Sequence, residues 1–102
     1  MELKYYPAEQ LKKEIRQITS KYLDLKKYRV FFFGSRVAKK GNERSDIDIG
    51  IEGQEPVPSS IMFKIKDDIE NLKTLYKLEF VDFKSVAPDF REVALQNIEE
   101  IS

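Results

Sequence analysis

An α+β fold, with a small mixed sheet and helices packed on one face, is what the sequence predicts, as one domain over residues 1–102. Three observations predict it. Apolar residues recur at helical spacing in some stretches and in continuous or alternating runs in others, in the order α, β, short α, β, α, β, α. The segment between the first two strands is too short for the crossover of a parallel βαβ unit, so the sheet is expected to be mixed or antiparallel. The length, 102 residues, suits one domain and one core, burying roughly 60–70% of the surface of the unfolded chain.

Residues 7 to 26 read as the first helix. Pro7 suits a first-turn position, and Leu11, Ile15, Ile18, Tyr22 and Leu25 recur every three or four residues, so they share one face. "YRVFFFGS", residues 28–35, is continuously apolar and reads as a central strand buried on both faces and ended by Gly34. "SRVAKK" can start a short helix, and "GNER" signals a turn. "SDIDIGI", residues 45–51, alternates and reads as a second strand. The loop "GQEPVPSS" precedes a helix that Ser59 or Ser60 can cap, running to about residue 74 with Ile61, Ile65, Ile69 and Leu72 as its buried stripe. "YKLEFVDFKSV", residues 76–86, reads as a third strand. Pro88 opens a last helix, with Phe90, Val93, Ala94, Ile98 and Ile101 on one side.

Composition narrows the chemistry. There is no histidine and no cysteine, so Ser–His and Cys–His nucleophilic catalysis, disulfides and a usual structural zinc site are excluded. Carboxylate, hydroxyl, guanidinium and ammonium groups remain, and a bound metal is expected to be a hard cation held by oxygen. Eighteen basic residues balance eighteen acidic ones, which argues against duplex nucleic acid as the main partner. No apolar run reaches membrane-span length, and "MELKYYPAEQ" has neither the basic start nor the apolar core of a signal peptide. A cytoplasmic protein is expected.

The chemistry concentrates in "FFFGSRVAKKGNERSDIDIGI", residues 31–51. Side chains alternate along a strand, so Asp46 and Asp48 project from one face, their α-carbons roughly 6.6 Å apart, while Ile47, Ile49 and Ile51 face the helices. Two like charges there repel each other, and a divalent cation removes the repulsion. Magnesium takes one or two carboxylates, keeps several waters and adds substrate phosphates. Gly34 lets a backbone approach a ligand. Ser35 stands where free amides and its own hydroxyl can meet a phosphate. Arg36, Lys39, Lys40 and Arg44 follow in the loop and as a group can balance a triphosphate.

"GSRVAKKGNERSDID" resembles the Gly-Ser, ten residues, Asp-x-Asp signature of the DNA polymerase beta-like nucleotidyltransferase superfamily, and the small size resembles its minimal members. The likeness runs from Val30 through the final helix. It implies the polymerase beta-like fold and a Mg2+-dependent transfer, two ions being held by Asp46 and Asp48. Gly34 and Ser35 would hold the triphosphate of ATP, with Arg36, Arg44 and Ser45 about the nucleotide. A third-strand carboxylate would share one metal and help deprotonate the attacking hydroxyl. Glu79 and Asp82 are the candidates. They lie three residues apart and face opposite sides, and alternation does not choose between them. Family register points to Glu79, where the family usually has Asp, and Asp82 remains the alternative.

Larger members carry a second domain over the base or acceptor, for which this chain is too short. Weak nucleotide binding by the isolated protein is therefore expected, with a partner or second copy completing the cleft. Minimal members are often paired with a helical HEPN protein, many of them ribonuclease toxins. The resemblance implies an antitoxin that moves AMP from ATP onto a toxin tyrosine. A non-catalytic antitoxin acting by contact and transfer to a small molecule are the alternatives.

Overall fold

The structure, a computed structural model, describes residues 1–39 and 45–102. Lys40 and Arg44, both singled out in the sequence, lie outside the described residues. Among the described residues three helices, α1 (Ala8–Tyr22), α2 (Ser59–Glu70) and α3 (Pro88–Ala94), accompany four strands, β1 (Tyr28–Phe33), β2 (Ile47–Gly53), β3 (Leu78–Asp82) and β4 (Glu99–Glu100). The sheet is mixed, in the order β3-β2-β1-β4. β1 runs antiparallel to β2 and β4, and β2 runs parallel to β3.

The apolar run of β1 explains its central place. Val30, Phe31, Phe32 and Phe33 are all buried, which requires cover on both faces and neighbours on both edges. On one face Val30 and Phe32 join Ile47, Ile49, Ile51 and Phe80 under the buried stripes of α1 (Leu11, Ile15, Ile18) and α2 (Ile65, Ile69). This is the core predicted from alternation in β2. On the opposite face Phe31, Phe33 and Phe83 form a smaller aromatic cluster, with Ala94, Leu95 and Ile98 packed against it. The two long helices cover one face as expected. The short α3 differs, because its end serves the second cluster.

Gly50 makes that cluster possible. A Cβ on it would stand 2.5 Å from Phe31 and 2.8 Å from Phe83, well inside contact distance. Without that atom, Phe31 and Phe33 meet Phe83 edge-on, with ring centroids 4.9 Å apart in each pair. Glu52, on the same face of β2, fastens α3 to the sheet. It accepts 2.5 Å and 3.0 Å hydrogen bonds from Arg91 and a 2.9 Å bond from Arg29.

Four expectations need correction. "SRVAKK" is a run of turns over its described residues, held by Ala38 N–H on Gly34 O at 3.0 Å and Lys39 N–H on Arg36 O at 3.3 Å. Neither Ser59 nor Ser60 caps α2; Pro58 stands at the cap and its carbonyl accepts from Ile61 and Met62. β3 ends at Asp82, because that side chain turns the chain by accepting from Lys84 N–H at 2.9 Å. The last helix stops at Ala94, so Ile98 and Ile101 are not on it. The outer edge of β1 needs partners, and the chain end supplies them. Val30 N–H donates to Ser102 O and Ile101 N–H to Val30 O, both at 2.8 Å. Ile101 is thereby buried in the main core.

Two outcomes test this packing. Gly50→Ala is expected to cost roughly 1–3 kcal/mol through overpacking, read by thermal or urea unfolding; an unchanged midpoint would contradict the contact. The arginines, Arg91 foremost, hold the Glu52 carboxyl below its ordinary range. A carboxyl lowered by folding stabilises above its unfolded value, and that share is lost as pH falls through the folded value. Glu52→Gln is therefore expected to flatten the acid limb of the stability–pH curve, and an unaltered limb would count against the arginine clamp.

Candidate active site

The site grows from strand register. Phe33 of β1 stands opposite Asp48 of β2, and Asp48 stands beside Glu79 of β3. Residues paired across neighbouring strands point to the same face, so the two carboxylates share the face away from α1 and α2. Ile47 and Ile49, the neighbours of Asp48, are fully buried on the helix side, which locks the alternation. Asp46, just before the strand, is exposed and its charge acts on Asp48.

Gly34 ends β1 with φ at +85°, a region other residues rarely adopt. A Cβ there would overlap Asp48 Oδ2 and stand 3.1 Å from Asp48 Cγ. Two demands thus fall on one position, the sharp turn after Phe33 and the closeness of a carboxylate. Ser35 follows, exposed, at the mouth of a 520 Å³ cleft that Gly34, Ser35, Asp48 and Glu79 line on one side.

The electrostatics follow from this crowding. Burial raises the Asp48 carboxyl above its ordinary value, and the charges of Asp46 and then Glu79 raise it further. Glu79 pairs with Lys77 at 3.2 Å, side chains 47% and 70% exposed. Lys77 in turn is held protonated, first by Glu79 and also by Asp46. Among the described residues, no three Asp, Glu, His or Cys side chains stand in a ligating arrangement. The donor set is all oxygen and anionic, and the charges that act on Asp48 among the described residues, those of Asp46 and Glu79, both repel it. That fits a hard divalent cation, which satisfies itself with one or two carboxylates and keeps water for the rest.

Of the two third-strand candidates, Glu79 stands beside Asp48 and lines the cleft. Asp82 pairs in register with Ile51, is 7% exposed, and accepts from Val57 N–H at 2.8 Å and Lys84 N–H at 2.9 Å. It tethers two loops on the core side. Arg36 donates from Nε to Ser45 O at 2.8 Å and lies 4.8 Å over the ring of Tyr76, bracing the segment that leads into β2. Sequence reasoning missed Lys77 and the apolar wall of the cleft that Phe90 and Val93 supply. The signal for the former was its i,i+2 spacing from Glu79 on an exposed strand entry.

A family model described as polymerase beta, nucleotidyltransferase matches residues 13–101. A probable protein adenylyltransferase MntA of Haemophilus influenzae is 30% identical over 66 residues, 65% of this chain and 58% of its own length. This chain thus spans under two thirds of the curated relative that it matches. Among solved structures, a toxin–antitoxin with AMP-PNP superposes with a TM-score of 0.68 at 15% identity, over 89% of this chain and 72% of that one. A complex of tri-AMPylated Shewanella oneidensis HEPN toxin with MNT antitoxin gives 0.66 at 16% identity, over 92% and 71%. At such identities these two likenesses speak for the fold.

Gly34→Ala is expected to lower stability by roughly 1–3 kcal/mol, from the left-handed backbone and the overlap with Asp48; full stability on denaturant titration would refute the contact. The sign for Asp48 runs the other way from Glu52. A carboxyl raised by folding costs stability once pH passes its ordinary value, and the cost is complete above the raised one. Asp48→Asn is therefore expected to raise the melting temperature of the metal-free protein at pH 7, and a lowered one would contradict the repulsion.

Proposed function

For a chain that belongs to the polymerase beta nucleotidyltransferase family, we propose transfer of AMP from ATP to a tyrosine hydroxyl of a partner HEPN toxin, as the antitoxin of the pair. One observation carries the reading: Asp48 and Glu79 sit in register on the open face of the sheet, with Gly34 pressed against Asp48 at the mouth of the cleft. The MntA relative is named as a protein adenylyltransferase, which supports AMP as the group moved. The structural likeness to an antitoxin in complex with a tri-AMPylated HEPN toxin supports the acceptor.

Each residue has a task. The turn at Gly34 would present the backbone to the triphosphate, and Ser35 would offer its amide and hydroxyl to a phosphate oxygen. Asp46 and Asp48 would hold Mg2+, with Glu79 sharing it once released from Lys77. Bound there, magnesium supplies charge stabilisation for the attacking and leaving oxygens. The Glu79 carboxylate would take the tyrosine proton as the phenolic oxygen bonds to the α-phosphorus. The bond from that phosphorus to the bridging oxygen breaks in line, and pyrophosphate leaves. Arg36 and Arg44 are assigned to the nucleotide's surroundings, Arg36 chiefly by bracing Ser45. Asp82 has no part in the reaction. No helix among the described residues is long and apolar enough to cross a membrane, and the cytoplasm is the compartment this chemistry implies.

The test is incubation of the chain with labelled ATP, Mg2+ and the protein encoded by the neighbouring gene, the proposed HEPN toxin. Label on a toxin tyrosine is expected, reduced about 100-fold or more by Asp46→Asn or Asp48→Asn. Asp82→Asn is expected to reduce stability and leave turnover per folded molecule intact. Neutralisation of the toxin that survives both cleft substitutions, with no label transferred, would replace this reading with an antitoxin acting by contact.

A further inference from the structure

The far wall of the cleft has features that neither metal binding nor proton transfer uses. Phe90 is 46% exposed and Val93 is 66% exposed, both on α3 and both lining the 520 Å³ cavity that contains Gly34 and Asp48. Exposed large apolar residues in a concavity mark a binding groove more than a free surface. Phe90 is held rather than loose. Its ring stands edge-on to Phe33 at 6.1 Å and tilted to Phe83 at 6.0 Å. The polar lining at this end is Gln96 and Asn97, both exposed carboxamides. No lysine or arginine lines the cavity among the described residues.

The geometry points to a nucleobase seat on this wall, with a purine against Phe90 and Val93 and the carboxamides of Gln96 and Asn97 selecting adenine. The inference rests on the nucleotide-transfer reading and adds the part of the nucleotide that the Gly34–Ser35 turn and the carboxylates leave unaddressed. The cavity is continuous from that turn to Phe90, and its volume falls in the range of small-ligand sites. A base offers a flat apolar face for the ring and a hydrogen-bonding edge for the amides. Asn and Gln match the N6 and N7 edge of adenine, whereas guanine is read best by Arg or Lys, which this wall lacks. The seat is one-sided and open, since α3 supplies a single wall. Modest affinity from the base is the consequence.

Calorimetric titration of the full chain with Mg2+ and three probes tests this: a non-hydrolysable ATP analogue, the matching GTP analogue, and tripolyphosphate. The ATP analogue is expected to bind about tenfold or more tighter than tripolyphosphate. Phe90→Ala is expected to erase that margin while leaving tripolyphosphate affinity unchanged. The double variant Gln96→Ala, Asn97→Ala, at exposed positions that do not endanger folding, is expected to bring the two nucleotides to equal affinity. Equal binding of ATP analogue and tripolyphosphate by the parent overturns the seat and leaves the phosphate site standing. So does an ATP margin that survives both variants. Failure of all three probes to bind overturns the seat together with the transfer reading.

Discussion

The site depends on one close approach, the α-carbon of Gly34 against the Asp48 carboxylate. It requires β1 to end where it does, β2 to keep its register with β1, and the residue between them to carry no side chain. Register in turn is set by burial. Ile47, Ile49 and Ile51 are each fully buried, and a slip of one residue would expose them and bury the aspartates. The hydrophobic core therefore aims the carboxylates. β3 follows the same rule, because Phe80 on the core side obliges Glu79 to face the cleft beside Asp48.

The cost of the arrangement is electrostatic. Asp48 is half-buried with two like charges near it, and among the described residues no cation offsets them in the way that Arg91 and Arg29 offset Glu52. Both carboxylates lie on the same face of β2, four residues apart, and folding pushes their proton affinities in opposite directions. Glu52 serves structure, since it holds α3 and with it Phe90 at the edge of the aromatic cluster. Asp48 stores repulsion that a divalent cation can relieve. An open cleft with an unrelieved carboxylate is the arrangement expected at a functional site, where local stability is given up for ligand binding.

Much of this was legible in the chain. Alternation in "SDIDIGI" foretold the two faces of β2, and the unbroken "RVFFF" run foretold a central strand. Of the Gly-Ser turn and the Asp-x-Asp pair, Gly34, Ser35 and Asp48 line the cleft, whereas Asp46 stands exposed beyond its lining. The choice between Glu79 and Asp82 was not legible, because apolar residues flank both and strand parity needs a register with β2. The structure brings Glu79 to Asp48 and gives Asp82 two loop amides. The end of the chain misled for a different reason. Ile98 and Ile101 fit the helical period begun at Phe90, but the free edge of β1 draws residues 99–102 into extended pairing, a tertiary demand that local spacing does not reveal. Lys77 and the Phe90 wall were missed because a salt link and a concavity exist only once the strands and α3 are placed.

The central proposal is that Asp46, Asp48 and, once it leaves Lys77, Glu79 would take up a divalent cation together with a nucleotide. Manganese titration followed by electron paramagnetic resonance, with and without a non-hydrolysable ATP analogue, tests it most directly. The account predicts weak Mn2+ uptake by the protein alone, stronger uptake when the analogue is present, and loss of that uptake in Asp48→Asn. Uptake unaffected by Asp48→Asn, or no uptake with the analogue present, would contradict it.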